Sequence, residues 1–228
     1  MKTKINFSWK KYNQSKKKLI EKMIIYNNNN NFNFLEKNHF NHTRDLIALS
    51  IASIKKKEKI NVLDYGSNLL TLSNFKNKIN LKDFNFCIYD PFFEKSNQKI
   101  EKKITNLNYQ ITNNLTKIYD KSFDVLNFAS SIQYQNDFLS ELTKFNLKKT
   151  TRVIITYTPI SLGKTYETIQ SNHQNLVQKV LSYKEIISKF KSLNFKLIFK
   201  SRNSDKYIAC KKKKFKTLSL NLIFSNEK

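Results

Sequence analysis

Glycine, proline, cysteine and arginine are all scarce in this chain of 228 residues, which has two glycines, two prolines and two cysteines. Cys87 and Cys210 stand far apart, each inside an apolar run. The sequence therefore offers neither a disulfide framework nor the Cys-x-x-Cys spacing of a zinc site, and no metal is predicted. This excludes small disulfide-stapled and metal-scaffold proteins and favours a reducing cytoplasm as the location.

Long apolar runs are also absent. Charge-free stretches such as residues 23–35 and 125–136 are diluted by Asn and Gln, and they fall short of the roughly 20 apolar residues needed to cross a bilayer. Residues 1–18 are basic but are followed by no apolar segment, so no signal peptide is predicted. We expect a cytoplasmic protein without a transmembrane segment.

Acidic residues are few, since 42 Lys and Arg against 17 Asp and Glu give a formal net charge of +25. This surplus favours an anionic partner, such as nucleic acid, a phosphorylated substrate or an acidic membrane surface. All but three of the basic residues (Arg44, Arg152 and Arg202) are lysines, and AT-rich codons favour Lys, Asn, Ile and Phe. Because arginine is the residue that binds phosphate bidentately, we attribute much of the charge to an AT-rich genome and do not expect specific nucleic-acid binding.

Apolar periodicity predicts N-terminal helices followed by an α/β domain. Helical spacing marks residues 15–26 and 43–54, on either side of an Asn-rich run. From residue 60, short apolar runs alternate with polar or helical stretches, which is typical of a parallel sheet covered on both faces. The predicted strands are 60–65, 84–89, 107–112, 123–128, 152–157 and 195–200, and the predicted helices between them are 70–77, 137–145 and 183–193.

Two further β-like runs, 206–210 and 218–224, end the sequence. Turn-like residues 203–205 predict that 206–210 folds back antiparallel on strand 195–200 as an edge hairpin. The expected fold is α/β: a Rossmann-like, doubly wound, mostly parallel sheet of about seven strands with an antiparallel C-terminal edge hairpin, plus N-terminal helices. We expect residues 1–59 to form a helical extension of the domain 60–228, together one compact unit.

Two acidic residues lie where such a sheet binds ligands, beyond the carboxyl ends of its strands. Asp64 and Gly66 end the first strand, and Asp90 ends the second. A glycine there lets the backbone approach a ligand closely, and an acid at the tip of the second strand can accept both hydroxyls of a ribose. The pair predicts a nucleoside site. As alternatives, Asp64 could simply cap the next turn, and Asp90, which precedes Pro91, could simply begin a turn.

These motifs resemble those of the class I S-adenosylmethionine-dependent methyltransferases, and more narrowly the methyltransferases of surface-polysaccharide (lipopolysaccharide) biosynthesis clusters. Those carry an Asp-aromatic-Gly turn, a Ser-Ser-x-Gln-Tyr segment after strand four, and a Thr-Pro followed downstream by Gln. The matching residues are Asp64, Tyr65, Gly66 and Leu69 in the turn, Ser130, Ser131, Gln133 and Tyr134 after strand four, and Thr158, Pro159 and Gln170 beyond strand five.

The resemblance implies S-adenosylmethionine as cofactor and a small-molecule or lipid-linked sugar, a precursor of a surface polysaccharide, as methyl acceptor. The residues that it implies at the cofactor are Asp64, Gly66, Ser67, Asn68, Asp90, Ser130, Ser131 and Gln133. Ser67 and Leu70 stand where the family has further glycines, and the Cβ of a serine restricts positive φ, whereas Asn68 tolerates a left-handed conformation.

This departure leaves a non-catalytic binding or scaffold protein of the same fold as the first alternative, and an RNA-binding protein or RNA methyltransferase as the second. For catalysis, a neutral His173 or the carboxylate of Glu167 could take a proton from an acceptor hydroxyl. Tyr134 could form a wall of the site or accept that proton, and each of the three could equally be a surface or core residue. The lysine tracts 55–59 and 211–214 are solvated ends or a surface for anionic membrane headgroups.

Overall fold

The computed structural model describes residues 41–55, 58–66, 80–91, 109–171, 176–203 and 210–226. The predicted helices 15–26 and 70–77 lie outside these residues. The described residues group into two compact units, of which the first ends at Asn114 and the second begins at Leu115. The division into an extension 1–59 and a domain 60–228 stays a prediction, because most of the extension lies outside the described residues.

The described residues of the first unit form one α-helix and three parallel strands. Its elements are α1 (Asn41–Ala52), β1 (Ile60–Tyr65), β2 (Phe84–Tyr89) and β3 (Tyr109–Thr112). Strands β1 and β2 pair from Ile60 opposite Phe84 to Tyr65 opposite Tyr89. Both are buried on their two faces, as expected for mostly apolar strands in a parallel sheet. The predicted helix 43–54 and the first two strands are confirmed, and β3 lies within the predicted strand 107–112, of which residues 107 and 108 lie outside the described residues.

The described residues of the second unit form three α-helices and six strands. They are α2 (Thr116–Tyr119), β4 (Val125–Ala129), α3 (Phe138–Glu141), β5 (Arg152–Ser161), β6 (Tyr166–Ile169), β7 (Val177–Ser182), α4 (Tyr183–Ser192), β8 (Lys196–Arg202) and β9 (Thr217–Ser225). Strand β5 pairs in parallel with β4 and, at its end, with β7. Strand β9 lies antiparallel between β5 and β8, and β6 pairs antiparallel with β7.

Aromatic packing fixes the helices of the second unit against its strands. Phe190 of α4 stacks on Phe224 of β9 with ring centroids 3.9 Å apart. Phe128 of β4 meets Phe138 of α3 edge to face at 5.1 Å. Asp137 caps α3, because its carboxylate accepts the backbone N–H of Ser140. None of the helices among the described residues is both long and apolar enough to span a membrane.

The C-terminal antiparallel pair is confirmed, but its composition differs from the prediction. The partner of β8 is β9, whereas 206–210 was predicted to fold back on this strand. Residues 206–209 lie outside the described residues, so their pairing stays a prediction, and Cys210 makes an isolated antiparallel bridge with Gln170. Strand β9 pairs along both of its edges, with β5 and with β8, and its side chains are buried along most of its length.

The hairpin β6–β7 was not predicted. Its strands carry buried polar side chains, Thr168 on β6 and Gln178 on β7, so the apolar alternation that indicates a strand is broken in both. The hairpin extends the end of β5, where Ile160 pairs with Leu181.

Strand β5 runs four residues past its predicted end because it contains a bulge. The register with β9 shifts between Ile155 and Thr158, so that two residues of β5 lie opposite Asn221. One of them, Tyr157, has a positive φ of 53°. Its N–H donates to Oδ1 of Asn221 at 3.4 Å, which stabilises a conformation that is unfavourable for a bulky residue.

Candidate functional site

In the first unit, the residue that follows each of β1 and β2 is hydrogen-bonded to the last residue of the neighbouring strand. The N–H of Gly66 donates to the carbonyl of Tyr89 at 2.8 Å, and the N–H of Asp90 donates to the carbonyl of Thr112 at 3.1 Å. Gly66 has a φ of 67°, a left-handed conformation that glycine adopts without a steric penalty. The backbone therefore turns away from β1 directly beside the end of β2.

The two predicted acids occupy different environments at this edge. Asp64 is only 3% exposed and is in register with Ile88 of β2. Asp90 follows the last residue of β2 and is half-buried. The rings of Tyr65 and Tyr89 pack 4.7 Å apart. Asp90 is thus the carboxylate that a ligand can reach, whereas Asp64 is enclosed at the end of β1.

Three of the predicted site residues, Ser67, Asn68 and His173, lie outside the described residues, so their roles stay predictions.

In the second unit, the end of β4 forms a compact polar turn. Ser130 has a φ of 53°, and its N–H donates to the carbonyl of Thr156 on β5 at 2.8 Å. Nε2 of Gln133 donates back to Oγ of Ser130 at 3.0 Å. The left-handed Ser130 thus ends β4 and begins the 3-10 turn Ile132–Tyr134.

This turn is joined to the hairpin β6–β7 by side chains. The hydroxyl of Tyr134 donates to Oε1 of Gln170 at 2.7 Å, and Nζ of Lys179 donates to the carbonyl of Asn136. The structure therefore brings together Tyr134 and Gln170, which the sequence separates by 36 positions. Glu167 does not join them: it is exposed on β6 and pairs across the hairpin with Lys179.

Three buried polar atoms at this turn have no hydrogen-bond partner within the described part of the chain. They are Oγ of Ser131, Oε1 of Gln133 and Oγ1 of Thr156, on residues that are 7%, 3% and 0% exposed. A buried polar group left without a partner costs about 1–3 kcal/mol. Buried polar groups without a partner are expected where a ligand or an ordered water completes the hydrogen bonds.

Thr156 was missed in the sequence, because a threonine within a β-branched run is typical of any strand. The available signal was its position two residues before Thr158-Pro159, near the end of the predicted strand 152–157.

A matched pair of substitutions tests whether the side-chain hydroxyl of Thr156 lacks a hydrogen-bond partner. Thr158 is equally buried, but its Oγ1 donates to the carbonyl of Thr156 at 3.0 Å. We expect Thr156→Val to raise the free energy of unfolding by about 1 kcal/mol, since it removes an unpaired hydroxyl without changing shape. Thr158→Val should lower it by about 1 kcal/mol. Urea denaturation measures both, and equal losses in the two variants would contradict the assignment.

Cys210 lies at the edge of the same hairpin, where its Sγ accepts from Nε2 of Gln178 at 3.4 Å. Burial raises the pKa of this thiol, and the ammonium of Lys213 partly lowers it. Because a raised pKa delays thiolate formation, Cys210 should react rapidly with iodoacetamide only at a higher pH than an exposed cysteine does. Lys213→Glu should raise further the pH at which Cys210 reacts at half its maximal rate, whereas Lys144→Glu should leave this pH unchanged.

The sequence matches no protein-family model and no curated protein, but the structure is similar to many solved structures. The 1,6-didemethyltoxoflavin-N1-methyltransferase of Burkholderia thailandensis, solved with S-adenosylhomocysteine, has a TM-score of 0.58 at 9% identity, over 95% of this chain and 90% of that one. The magnesium protoporphyrin IX methyltransferase of Synechocystis PCC 6803, solved with S-adenosylmethionine, has a TM-score of 0.52 at 10% identity, over 86% and 85%. The N-methyltransferase NodS of Bradyrhizobium japonicum WM9 has a TM-score of 0.50 at 10% identity, over 85% and 99%. The chain therefore has the Rossmann-like α/β fold of the S-adenosylmethionine-dependent methyltransferases.

Proposed function

We propose that this protein is an S-adenosylmethionine-dependent methyltransferase. The observation that carries the proposal is the arrangement at the ends of β1 and β2, where the left-handed Gly66 is hydrogen-bonded to Tyr89 and the reachable carboxylate of Asp90 follows. The solved structures of similar fold hold S-adenosylmethionine or S-adenosylhomocysteine, which supports the same ligand class for this chain.

The residues present fit the nucleoside half of that cofactor. An ionised carboxylate is an acceptor only, and two adjacent ribose hydroxyls are two donors, so Asp90 can accept both. Gly66 has no Cβ to obstruct a ligand that lies against the strand ends. When bound, the cofactor would supply an electrophilic sulfonium methyl group.

The chain's contribution to the chemistry is chiefly alignment of the acceptor, since methyl transfer is a displacement that depends on the line of approach. In the second unit, the hydroxyl of Tyr134 donates a hydrogen bond to Gln170, so Tyr134 keeps its own proton and would line the site and orient the acceptor without taking a proton from it. Further ligand contacts would come from the buried polar atoms that lack a partner, on Ser131, Gln133 and Thr156. Ser130 would contribute to the same contacts. We retain Glu167 and His173 as alternative bases.

For the acceptor we propose the hydroxyl of a sugar or glycan precursor in surface-polysaccharide assembly. The support is the family resemblance and the character of the polar turn in the second unit, whose hydroxyl and amide groups are neutral and both donate and accept. Such groups suit a ligand rich in hydroxyls better than a charged one.

Titration calorimetry with S-adenosylmethionine and S-adenosylhomocysteine at physiological salt tests the cofactor. We expect micromolar binding of both by the full chain. A folded protein that binds neither would contradict the activity and would support the alternative of a scaffold with the same fold.

The acceptor is tested separately, by incubation of the protein with methyl-labelled S-adenosylmethionine and a panel of nucleotide sugars and lipid-linked sugars. Transfer of label to a sugar supports the proposed acceptor. Transfer only to RNA or protein would overturn the acceptor while leaving the cofactor assignment intact.

A further inference from the structure

Six lysines and two apolar side chains form one exposed surface of the second unit, which we name the basic-apolar patch. Its members are Leu162, Lys164, Lys211, Lys212, Lys213, Lys214, Phe215 and Lys216, all of them exposed. Leu162 is 49% exposed and Phe215 is 40% exposed. Large apolar side chains ringed by a single sign of charge are unusual on a surface that meets only water.

The apolar members are held together by the sheet. Because β5 and β9 are antiparallel and Ser161 pairs with Thr217, the residue after β5 and the residues before β9 emerge at the same end. The N–H of Leu162 donates to the carbonyl of Lys216 at 2.8 Å. A Cβ at Gly163 would lie 2.6 Å from the ring of Phe215, so glycine permits this close approach.

The lysine tract is held along the edge of β6. The N–H of Lys211 donates to the carbonyl of Ile169 at 2.9 Å, and Oγ1 of Thr168 donates to the carbonyl of Lys212 at 3.0 Å. The positive charges are therefore arranged on a fixed backbone.

Little negative charge faces the patch from the elements packed around it. Glu167 of β6 and Glu185 of α4 are the acids described there, and Glu185 already accepts the hydroxyl of Thr165 at 2.6 Å. The local surplus of positive charge therefore persists around Leu162 and Phe215.

We infer that the basic-apolar patch docks on the surface of an anionic lipid membrane. Lysines near such a surface are attracted by its negative potential, each raising binding about fivefold, and exposed Leu and Phe side chains insert between the headgroups. The basic residues of the patch are all lysines, whereas arginine is the residue that most often binds phosphate in nucleic-acid recognition. This composition favours a membrane over a nucleic acid. A leucine also offers no ring on which a base could stack.

Co-sedimentation of the full chain with vesicles tests this inference, which does not depend on the proposed activity. The vesicles are phosphatidylcholine alone or mixed with phosphatidylglycerol, at physiological salt. We expect binding to the mixed vesicles only. The double variant Lys212→Glu, Lys214→Glu should weaken it at least about twentyfold, and Leu162→Ser, Phe215→Ser should weaken it about tenfold.

Matched controls lie elsewhere on the second unit. Lys148 and Lys149 are exposed at the opposite end of β5, and Lys148→Glu, Lys149→Glu makes the same change in charge. Ile198 and Phe199 are exposed on β8, and Ile198→Ser, Phe199→Ser makes the same change in apolarity. Both controls should bind mixed vesicles like the unchanged protein, and thermal melts show that every variant is folded.

Three results would overturn the inference. Equal weakening by the patch and control charge variants would mean that net charge alone drives adsorption. Unchanged binding by Leu162→Ser, Phe215→Ser would mean that no side chain inserts. Displacement from the vesicles by single-stranded RNA, with RNA affinity lost in Lys212→Glu, Lys214→Glu, would make the patch a nucleic-acid surface.

Discussion

Replacing Asp90 by alanine should weaken the binding of S-adenosylhomocysteine by at least a hundredfold. The proposed role of Asp90, half-buried at the tip of β2, is to accept two hydrogen bonds from the ribose. Each hydrogen bond to a charged group contributes about 1.5–3 kcal/mol, so the loss of two corresponds to a hundredfold or more. Titration calorimetry of the variant and the unchanged protein measures the ratio.

Asp83 provides the matched control for this substitution. It precedes β2, at the opposite end of the strand from Asp90, and accepts from Nδ2 of Asn80 in an exposed turn. Asp83→Ala should leave the affinity unchanged. If Asp90→Ala binds S-adenosylhomocysteine as well as Asp83→Ala does, the nucleoside does not bind at the tip of β2.

Phe128→Ala should lower the free energy of unfolding by about 3–5 kcal/mol, the usual cost of removing a fully buried aromatic ring. Phe128 is 0% exposed and packs edge to face against Phe138 at 5.1 Å and Phe145 at 6.1 Å. Its loss leaves a cavity between β4 and the helical segment that follows the polar turn. Urea denaturation with a constant m-value measures the change.

The same substitution at an exposed phenylalanine separates cavity formation from a general effect of losing a ring. Phe199 on β8 is 38% exposed, and Phe199→Ala should cost less than about 1 kcal/mol. Equal losses at Phe128 and Phe199 would show that Phe128 is not a central core residue.

The fold was predictable from the sequence where the buried side chains of a strand are also apolar. Strands β1 and β2 lie at the predicted residues because each is a short, mostly apolar run between polar segments. The hairpin β6–β7 was not predictable in this way, since its buried Thr168 and Gln178 are stabilised by tertiary contacts that no local pattern reveals. The pairing of β8 with β9 could not be predicted either, because the sequence of β8 alone does not indicate which later segment pairs with it.

The candidate site was predictable where a residue type has a conformational reason. A glycine directly after β1 and an acid directly after β2 mark the strand ends, and the structure places Gly66 and Asp90 there. The hydrogen bond from Tyr134 to Gln170 and the orphaned hydroxyl of Thr156 depend on how distant segments pack. Such contacts follow from topology, so sequence spacing alone could not predict them.

The position of β9 between β5 and β8 has a consequence for the order of assembly. On the ribosome, β4 to β8 emerge before residues 217–225, so the backbone groups of β5 and β8 that β9 will pair remain open in the nascent chain. Open strand edges are templates for pairing with other chains. The second unit should therefore be most prone to aggregation after β5 has left the ribosome and before β9 has, and a ribosome stalled in that interval should retain a chain that chaperones bind.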